Sequence, residues 1–398
     1  ASLVKSITEI LEATLGGAIV LGASDIHIEP KEDLVRLRIR IDGLLQDVLN
    51  FNLEAYQRFL NRTKLLSGIK LNITDRPQDG RFSFLFGKKP IEIRVSTLPA
   101  EFGESIVLRI LDPKNLIDME ALGLREDLLR LFNKEIKRPN GMIIVTGPTG
   151  SGKTTTLYAF LTKIQRPEIK IITIEDPIEY HLGGISQTQV NPKKGYDFAN
   201  GLKSIMRQDP DVVLVGEVRD LETAQTALQA SLTGHLVFTT LHTNDAAGTV
   251  ARLQALGEKP VNIAPAINLV IAQRLVRKVC LKCSRLEKVS SIELKKIREN
   301  LKNIPSEIQI PKLELDLKIP RAKGCKDCNL TGYSGRTGVF ETFLIDDEME
   351  KFILTSPSIA ALREKTIQKK MVPMYQDGLI KVLEGITTIE ELERVIGQ

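Results

Sequence analysis

Apolar residues recur along this chain with two different periods, and the change from one to the other divides it. Over residues 3–21, Leu3, Ile7, Ile10, Leu11 and Leu15 fall at helical intervals, which predicts an amphipathic helix that stops near Gly22. Alternation then takes over. Val35, Leu37, Ile39 and Ile41 are interleaved with Arg36, Arg38 and Arg40, the pattern of a strand with one apolar and one basic face, and Asp42-Gly43 supplies a hairpin turn. Further strands are expected at 81–86, 91–96 and 105–111, with a helix at about 53–67. Together these predict an α+β domain with an antiparallel sheet over residues 1–112, closing near Asp112-Pro113.

From about residue 119, long helical stretches alternate with short apolar runs at 142–146, 171–174, 212–215 and 236–240. Such runs predict a parallel sheet wrapped by helices, an α/β domain over 113–274 whose polar loops at the strand ends carry the chemistry. A cysteine-bearing segment follows at 275–340, rich in Lys, Glu and Ser in its middle, and 341–398 reads as short helices. The pattern contains no internal repeat and no low-complexity tract.

Composition narrows the function classes. The 398 residues suffice for two to three domains, and 26% charged with 42% hydrophobic residues is globular. A net charge of +5, from 55 basic and 50 acidic residues, and an aromatic content of 5% give no case for a nucleic-acid surface. No apolar run approaches a membrane span and no signal segment opens the chain, so a soluble, intracellular protein without direct membrane insertion is expected. The first residue is Ala1 rather than Met, as expected of a piece of a longer protein.

One stretch organises the rest. Gly147-Pro148-Thr149-Gly150-Ser151-Gly152-Lys153-Thr154 fits G-x-x-x-x-G-K-[ST] at every fixed position, after an apolar strand and before a helix opening at Thr155. The glycines let backbone N–H groups turn inward around phosphate oxygens, and the helix N-terminus faces the same anion. Lys153 would reach the β and γ phosphates of a nucleoside triphosphate, and the Thr154 hydroxyl would ligate Mg²⁺.

Carboxylates sit at the ends of two later strands, in Glu175-Asp176-Pro177-Ile178-Glu179 and in Gly216-Glu217-Val218-Arg219-Asp220. Hydrolysis of a γ phosphate needs Mg²⁺ near the phosphates and a water in line, which acidic groups on neighbouring strands can supply. Gly216 stands where the usual second phosphate-site motif has Asp, so Glu217 is assigned to Mg²⁺ or its water shell. Glu179 is the candidate to orient the water, with Glu175 and Asp176 in support; the two glutamates could exchange roles. The competing reading is that each carboxylate caps a helix or solvates a loop. His235 and His242 bracket the strand 236–241 and are candidate γ-phosphate sensors, too few to hold zinc by themselves. In the first domain, Arg81, Arg94 and Arg109 lie on strands, either as arginine fingers for a transferring phosphoryl group or as a solvated basic face.

All four cysteines fall in two C-x-x-C pairs, Cys280/Cys283 and Cys325/Cys328. Two such knuckles make a tetrahedral cage of four thiolates, favouring structural Zn²⁺ over an iron–sulfur cluster or disulfides.

In this order and spacing the motifs resemble the secretion ATPase superfamily over essentially the whole chain, specifically the assembly motors of type II secretion and type IV pili (the GspE and PilB type). The resemblance rests on Ala23-Ser-Asp-Ile-His-Ile-Glu-Pro30, Arg76-Pro-Gln-Asp-Gly-Arg81, the loop 147–156, Ile174 to Glu179, Gly216 to Asp220, Thr233-Gly-His235 to His242, Gly324-Cys-Lys-Asp-Cys328 and Thr331 to Gly338. It implies a RecA-like P-loop ATPase domain preceded by a PAS-like α+β domain. Glu175 to Glu179 would form an aspartate box, Glu217 would end an atypical Walker B motif, and His235 to His242 would form a histidine box. It further implies a cytoplasmic homo-hexamer, peripherally recruited to the inner membrane, whose first domain closes over nucleotide and donates Arg81 and Arg94. Closure would drive an inner-membrane platform protein that adds pilin subunits. Retraction motors of the superfamily lack the tetracysteine segment, so Cys280 to Cys328 favours assembly. A non-hydrolysing nucleotide-binding scaffold or switch, a related retraction motor and a nucleic-acid translocase remain the alternatives.

Overall fold

The computed structural model describes residues 6–397, so Leu3, expected on the first helix, lies outside the described residues. The chain divides into two compact units, residues 1–115 and 116–398.

The first unit holds α1 (Ile7–Val20), β1 (Ala23–Pro30), β2 (Val35–Ile41), β3 (Leu44–Phe51), α2 (Leu53–Leu66), β4 (Gln78–Phe86), β5 (Lys89–Ala100) and β6 (Gly103–Leu111). Ser6 and Glu9 form a reciprocal capping box that starts α1. The strands form one antiparallel sheet in the order β3-β2-β1-β6-β5-β4. At the β2–β3 turn, Asp42 (φ 48°) and Gly43 (φ 86°) are both left-handed, the backbone that the Asp-Gly pair predicts for a two-residue hairpin. Ile26, Ile28, Leu37, Ile93 and Leu108 from one sheet face join Leu11 and Leu15 of α1 and Phe59 and Leu60 of α2 in the core. Lys64 and Glu104 form a fully buried ion pair at 2.6 Å, the Lys64 ammonium also donating to the Ile73 carbonyl.

The second unit opens with α3 (Glu126–Glu135), β7 (Gly141–Thr146), α4 (Lys153–Ile164), β8 (Ile171–Glu175), β9 (Ser186–Gln189), α5 (Phe198–Ile205), β10 (Val212–Val215), α6 (Leu221–Leu232) and β11 (Leu236–Leu241). It continues with α7 (Gly248–Ala255), α8 (Pro260–Ile263), β12 (Ile267–Val279), β13 (Arg285–Lys288), α9 (Ser291–Asn300), β14 (Lys318–Arg321), β15 (Tyr333–Leu344), α10 (Asp347–Leu354), α11 (Ile359–Gln368), α12 (Met374–Leu383) and α13 (Ile389–Ile396). Its main sheet runs β15-β12-β7-β11-β10-β8-β9, parallel except for β15. Every residue of β7, β8, β10 and β11 is buried, because α3 and α4 contribute to the core on one face and α5, α6 and α7 to the core on the other.

The divisions expected at 275 and 341 fall inside β12 and β15. These two long strands pair antiparallel from Leu269↔Leu344 to Val279↔Tyr333, so the cysteine segment is an excursion of the main sheet's own edge, holding the small β13–β14 sheet and α9. The terminal helices are tied in by buried charge. Arg125, ahead of α3, donates to Asp377 of α12, whose Oδ2 also accepts the Phe340 N–H at 2.9 Å. Glu391 of α13 accepts from Arg277 of β12 at 2.7 Å and from Arg394 at 2.6 Å.

Candidate nucleotide site and cysteine cage

Two threonines fasten the sheet where β7 ends. Thr146 Oγ1 lies 2.7 Å from Thr243 Oγ1 and accepts the Thr243 N–H at 2.9 Å, locking the end of β7 to the loop after β11. The glycine-rich loop then turns into α4. Gly147 has φ 146°, and a Cβ there would come within 2.4 Å of the Gln273 carbonyl oxygen, so only glycine allows the turn. Lys153, the first residue of α4 and only 9% exposed, donates to the Gly147 and Pro148 carbonyls at 2.8 and 3.1 Å. Burial pulls its ammonium down to about 8, against the opposing pull of Glu217.

Gly216 directly follows β10, its N–H on the Ile174 carbonyl at 2.8 Å. A Cβ there would lie 3.2 Å from that oxygen and 3.3 Å from Glu175 Cα. Close approach of the two strand ends therefore favours glycine where an aspartate would otherwise stand, and the carboxylate comes one residue later. Glu217 is held by Arg219 and lies 3.5 Å from His242 Nε2, while Arg219 also lies 3.9 Å from Asp176. Burial first, then the charges of Lys153 and Arg219, holds the His242 imidazole below its usual value despite Glu217.

The structure thus brings Lys153, Glu217, Arg219, His242 and Asp176 into one electrostatic neighbourhood beside Thr154 and the loop. Other expected members fall elsewhere. His235 sits at the opposite end of β11, its Nδ1 3.0 Å from the Ala230 carbonyl and its own carbonyl on the Gly141 N–H. Six strand residues place it about 20 Å from His242, so the two histidines do not act on one phosphate. Glu175 is inside the protein: it accepts from Tyr158, from Thr173 at 2.5 Å and from Gln187 at 3.2 Å. Burial raises its pKa although those bonds oppose it, and the carboxylate serves to tie α4, β8 and β9 together. Glu179 lies half-buried on the loop after β8, near enough to Glu175 and Tyr158 to act on their protonation. Arg81 and Arg94 are on the first unit, cross-strand partners in a row that continues to Arg109 and Asp25, which accepts from Arg109 at 3.0 Å. Thr146, Thr243, Tyr158 and Gln273 were not singled out from sequence; of these Gln273 alone carried a signal, an amide inside the apolar run of β12.

The four cysteines converge although 41 residues separate the pairs. Their Sγ atoms lie within 4.8 Å of one another, with 3.9 Å from Cys280 to Cys325, 3.8 Å from Cys283 to Cys328 and 3.7 Å from Cys325 to Cys328. A tetrahedral zinc with Zn–S near 2.3 Å requires sulfur pairs about 3.8 Å apart, so these residues fit the metal. The Cys325 and Gly332 N–H groups donate to Cys328 Sγ at 3.1 and 3.2 Å, stabilising the thiolate that a metal needs.

The sequence profile of the family described as type II/IV secretion system protein matches residues 2–394. The chain belongs to the type II/IV secretion ATPase family. The type II secretion system ATPase E of Vibrio cholerae is 46% identical over 393 residues, 98% of this chain and 75% of that protein, and the type II secretion system protein E of Dickeya dadantii is 45% identical over 392 residues, again 98% and 75%. Among solved structures this secretion ATPase resembles the ADP-bound pilus retraction motor PilT, at TM-score 0.63 and 26% identity over 96% of this chain and 95% of that one. The ATPase DotB of Legionella pneumophila shares the fold at TM-score 0.71, with 22% identity over 99% and 97%. No helix among the described residues of the secretion ATPase is long and apolar enough to cross a membrane.

Proposed function

We propose that this chain is a Mg²⁺-dependent ATPase working as a hexameric ring that powers assembly of a type II secretion pseudopilus or a type IV pilus. The observation that carries the reading is the convergence of buried Lys153, half-buried Glu217 and exposed His242 on a glycine loop that opens a helix. Mg²⁺ bound by Thr154 Oγ1 and near Glu217 would offset charge on the β and γ phosphates. Lys153 leaves the Gly147 and Pro148 carbonyls for phosphate oxygens, a like-for-better exchange because a phosphate is an ionic partner. Glu217, held by Arg219 at a strand end, is assigned to Mg²⁺ or its water shell and Glu179 to orienting the water, roles the two could exchange. Arg81 and Arg94 are assigned to phosphoryl stabilisation once the first domain closes over nucleotide. The four cysteines hold one structural Zn²⁺, and an inner-membrane platform protein receives the stroke of a ring recruited to the membrane from the cytoplasm.

Steady-state phosphate release with MgATP, run at several protein concentrations on the wild type and on Glu217→Gln, tests this reading. Specific activity that rises with concentration and falls on the order of 10²-fold or more in the variant is expected. Near-normal turnover in Glu217→Gln would remove the assignment.

A further inference from the structure

Gln273 is the one buried polar residue of β12, with Val270, Ile271 and Ala272 before it and Val276 soon after, all fully buried. It is itself only 1% exposed. An amide buried at such a place costs free energy unless it is hydrogen-bonded, so its presence demands a reason. The register supplies one: Ala272 pairs with Thr146, the last residue of β7, so the next residue of β12 runs alongside the start of the phosphate loop.

Gln273 touches that loop at both ends. A Cβ on Gly147 would meet its carbonyl oxygen at 2.4 Å, and a Cβ on Gly152 would meet its Nε2 at 2.9 Å. Both glycines are left-handed, with φ 146° and 87°, and they bound the loop between β7 and α4. The contact at Gly147 is made by the backbone of Gln273 and the one at Gly152 by its side chain, which also accepts through Oε1 a 2.7 Å bond from Thr156 Oγ1, while the Thr156 N–H donates to the Gly152 carbonyl at 3.0 Å. One residue therefore props the first glycine, the last glycine and the opening turn of the helix.

We propose that Gln273 is a positioning residue for the phosphate loop, acting through Thr156 to set the height and tilt of the N–H groups that receive the phosphates. This rests on the nucleotide site proposed above and adds a residue to it. Gln273 contacts the loop from behind, so it works by geometry, and a displacement of about 1 Å in such a cradle is enough to cost turnover heavily. Without the Oε1 acceptor, α4's first turn is free to rotate away from β12, and Lys153 moves with it.

The experiment compares four variants with the wild type for MgATP affinity, kcat, KM and melting temperature. Gln273→Met keeps the bulk and removes the amide; Thr156→Val keeps the bulk and removes the donor. Each is expected to lower kcat/KM about tenfold and to weaken MgATP binding, at temperatures well below melting. The double variant should be no worse than either single one, because both break the same contact. Thr156→Ser restores the hydroxyl and should stay within about twofold of wild type. Unchanged kcat/KM in both single variants, or additive losses in the double, overturns the inference while leaving the nucleotide site intact. If Gln273→Met does not fold, the contrast between Thr156→Val and Thr156→Ser decides alone. A wild-type chain that neither binds nor hydrolyses MgATP removes the site reading, and this inference with it.

Discussion

The phosphate loop and the cysteine cage lie along the same strand, and they are built on opposite principles. Ala272 of β12 flanks the start of the loop, and Cys280 directly follows the strand's last residue. At the loop, each charged group is engaged by something it can give up: Lys153 by neutral carbonyls, and Glu217 by the largely exposed Arg219. At the cage, four sulfurs crowd within 4.8 Å and backbone N–H groups point at one of them, an arrangement that fits a bound metal cation. A region meant for turnover keeps its partners exchangeable, and a staple closes its own.

The largest expected effect separates the two regions most cleanly. Lys153→Ala should lower ATP turnover on the order of 10²-fold or more, with little change in melting temperature, since the lysine bonds only to its own loop. Calorimetry showing a large loss of stability in that variant would erase the contrast. Next comes Cys328→Ser, expected to lose bound zinc and to lower the melting temperature on the order of 10 °C. Turnover of the fraction that remains folded should stay within a few-fold, as metal analysis beside phosphate release would show. The smallest effect lies within the loop region itself: His242→Ala should reduce kcat on the order of tenfold, whereas His235→Ala should cost about 1 kcal/mol of stability and leave kcat unchanged. Equal losses of kcat in both would contradict the placement of His235 at the far end of β11.

The histidines also show where sequence reading reaches its limit. Periodicity identifies the strand between them, and the strand is found at Leu236–Leu241, but bracketing a strand puts two residues at its opposite ends rather than together. The same limit applies to Glu175. A carboxylate at a strand end reads as chemistry, and only the fold reveals that Tyr158, Thr173 and Gln187 enclose it. What was legible followed from local rules: the loop from its glycines, the β2–β3 turn from Asp42-Gly43, and β10 at Val212–Val215 from a run that is apolar because both faces are covered. The antiparallel edge strand β15 was not, since its pairing with β12 is set by tertiary contact across the whole cysteine excursion. Convergence of the four cysteines was anticipated because thiolate pairs at C-x-x-C spacing have few other uses.

The buried contact between Arg125 and Asp377 has a consequence for how the protein is made. A ribosome delivers the arginine long before the aspartate, 252 residues earlier, which at roughly 5–20 residues per second is a delay on the order of ten to fifty seconds. Throughout that interval the guanidinium has Asp127 beside it but not the carboxylate it is finally buried against. The first unit, whose strands all lie between Ala23 and Leu111, faces no such wait. The nascent chain therefore carries the first unit's complete sheet while the second still lacks its last helices, and the burden of protecting unfinished surface falls on the unit that contains the nucleotide loop.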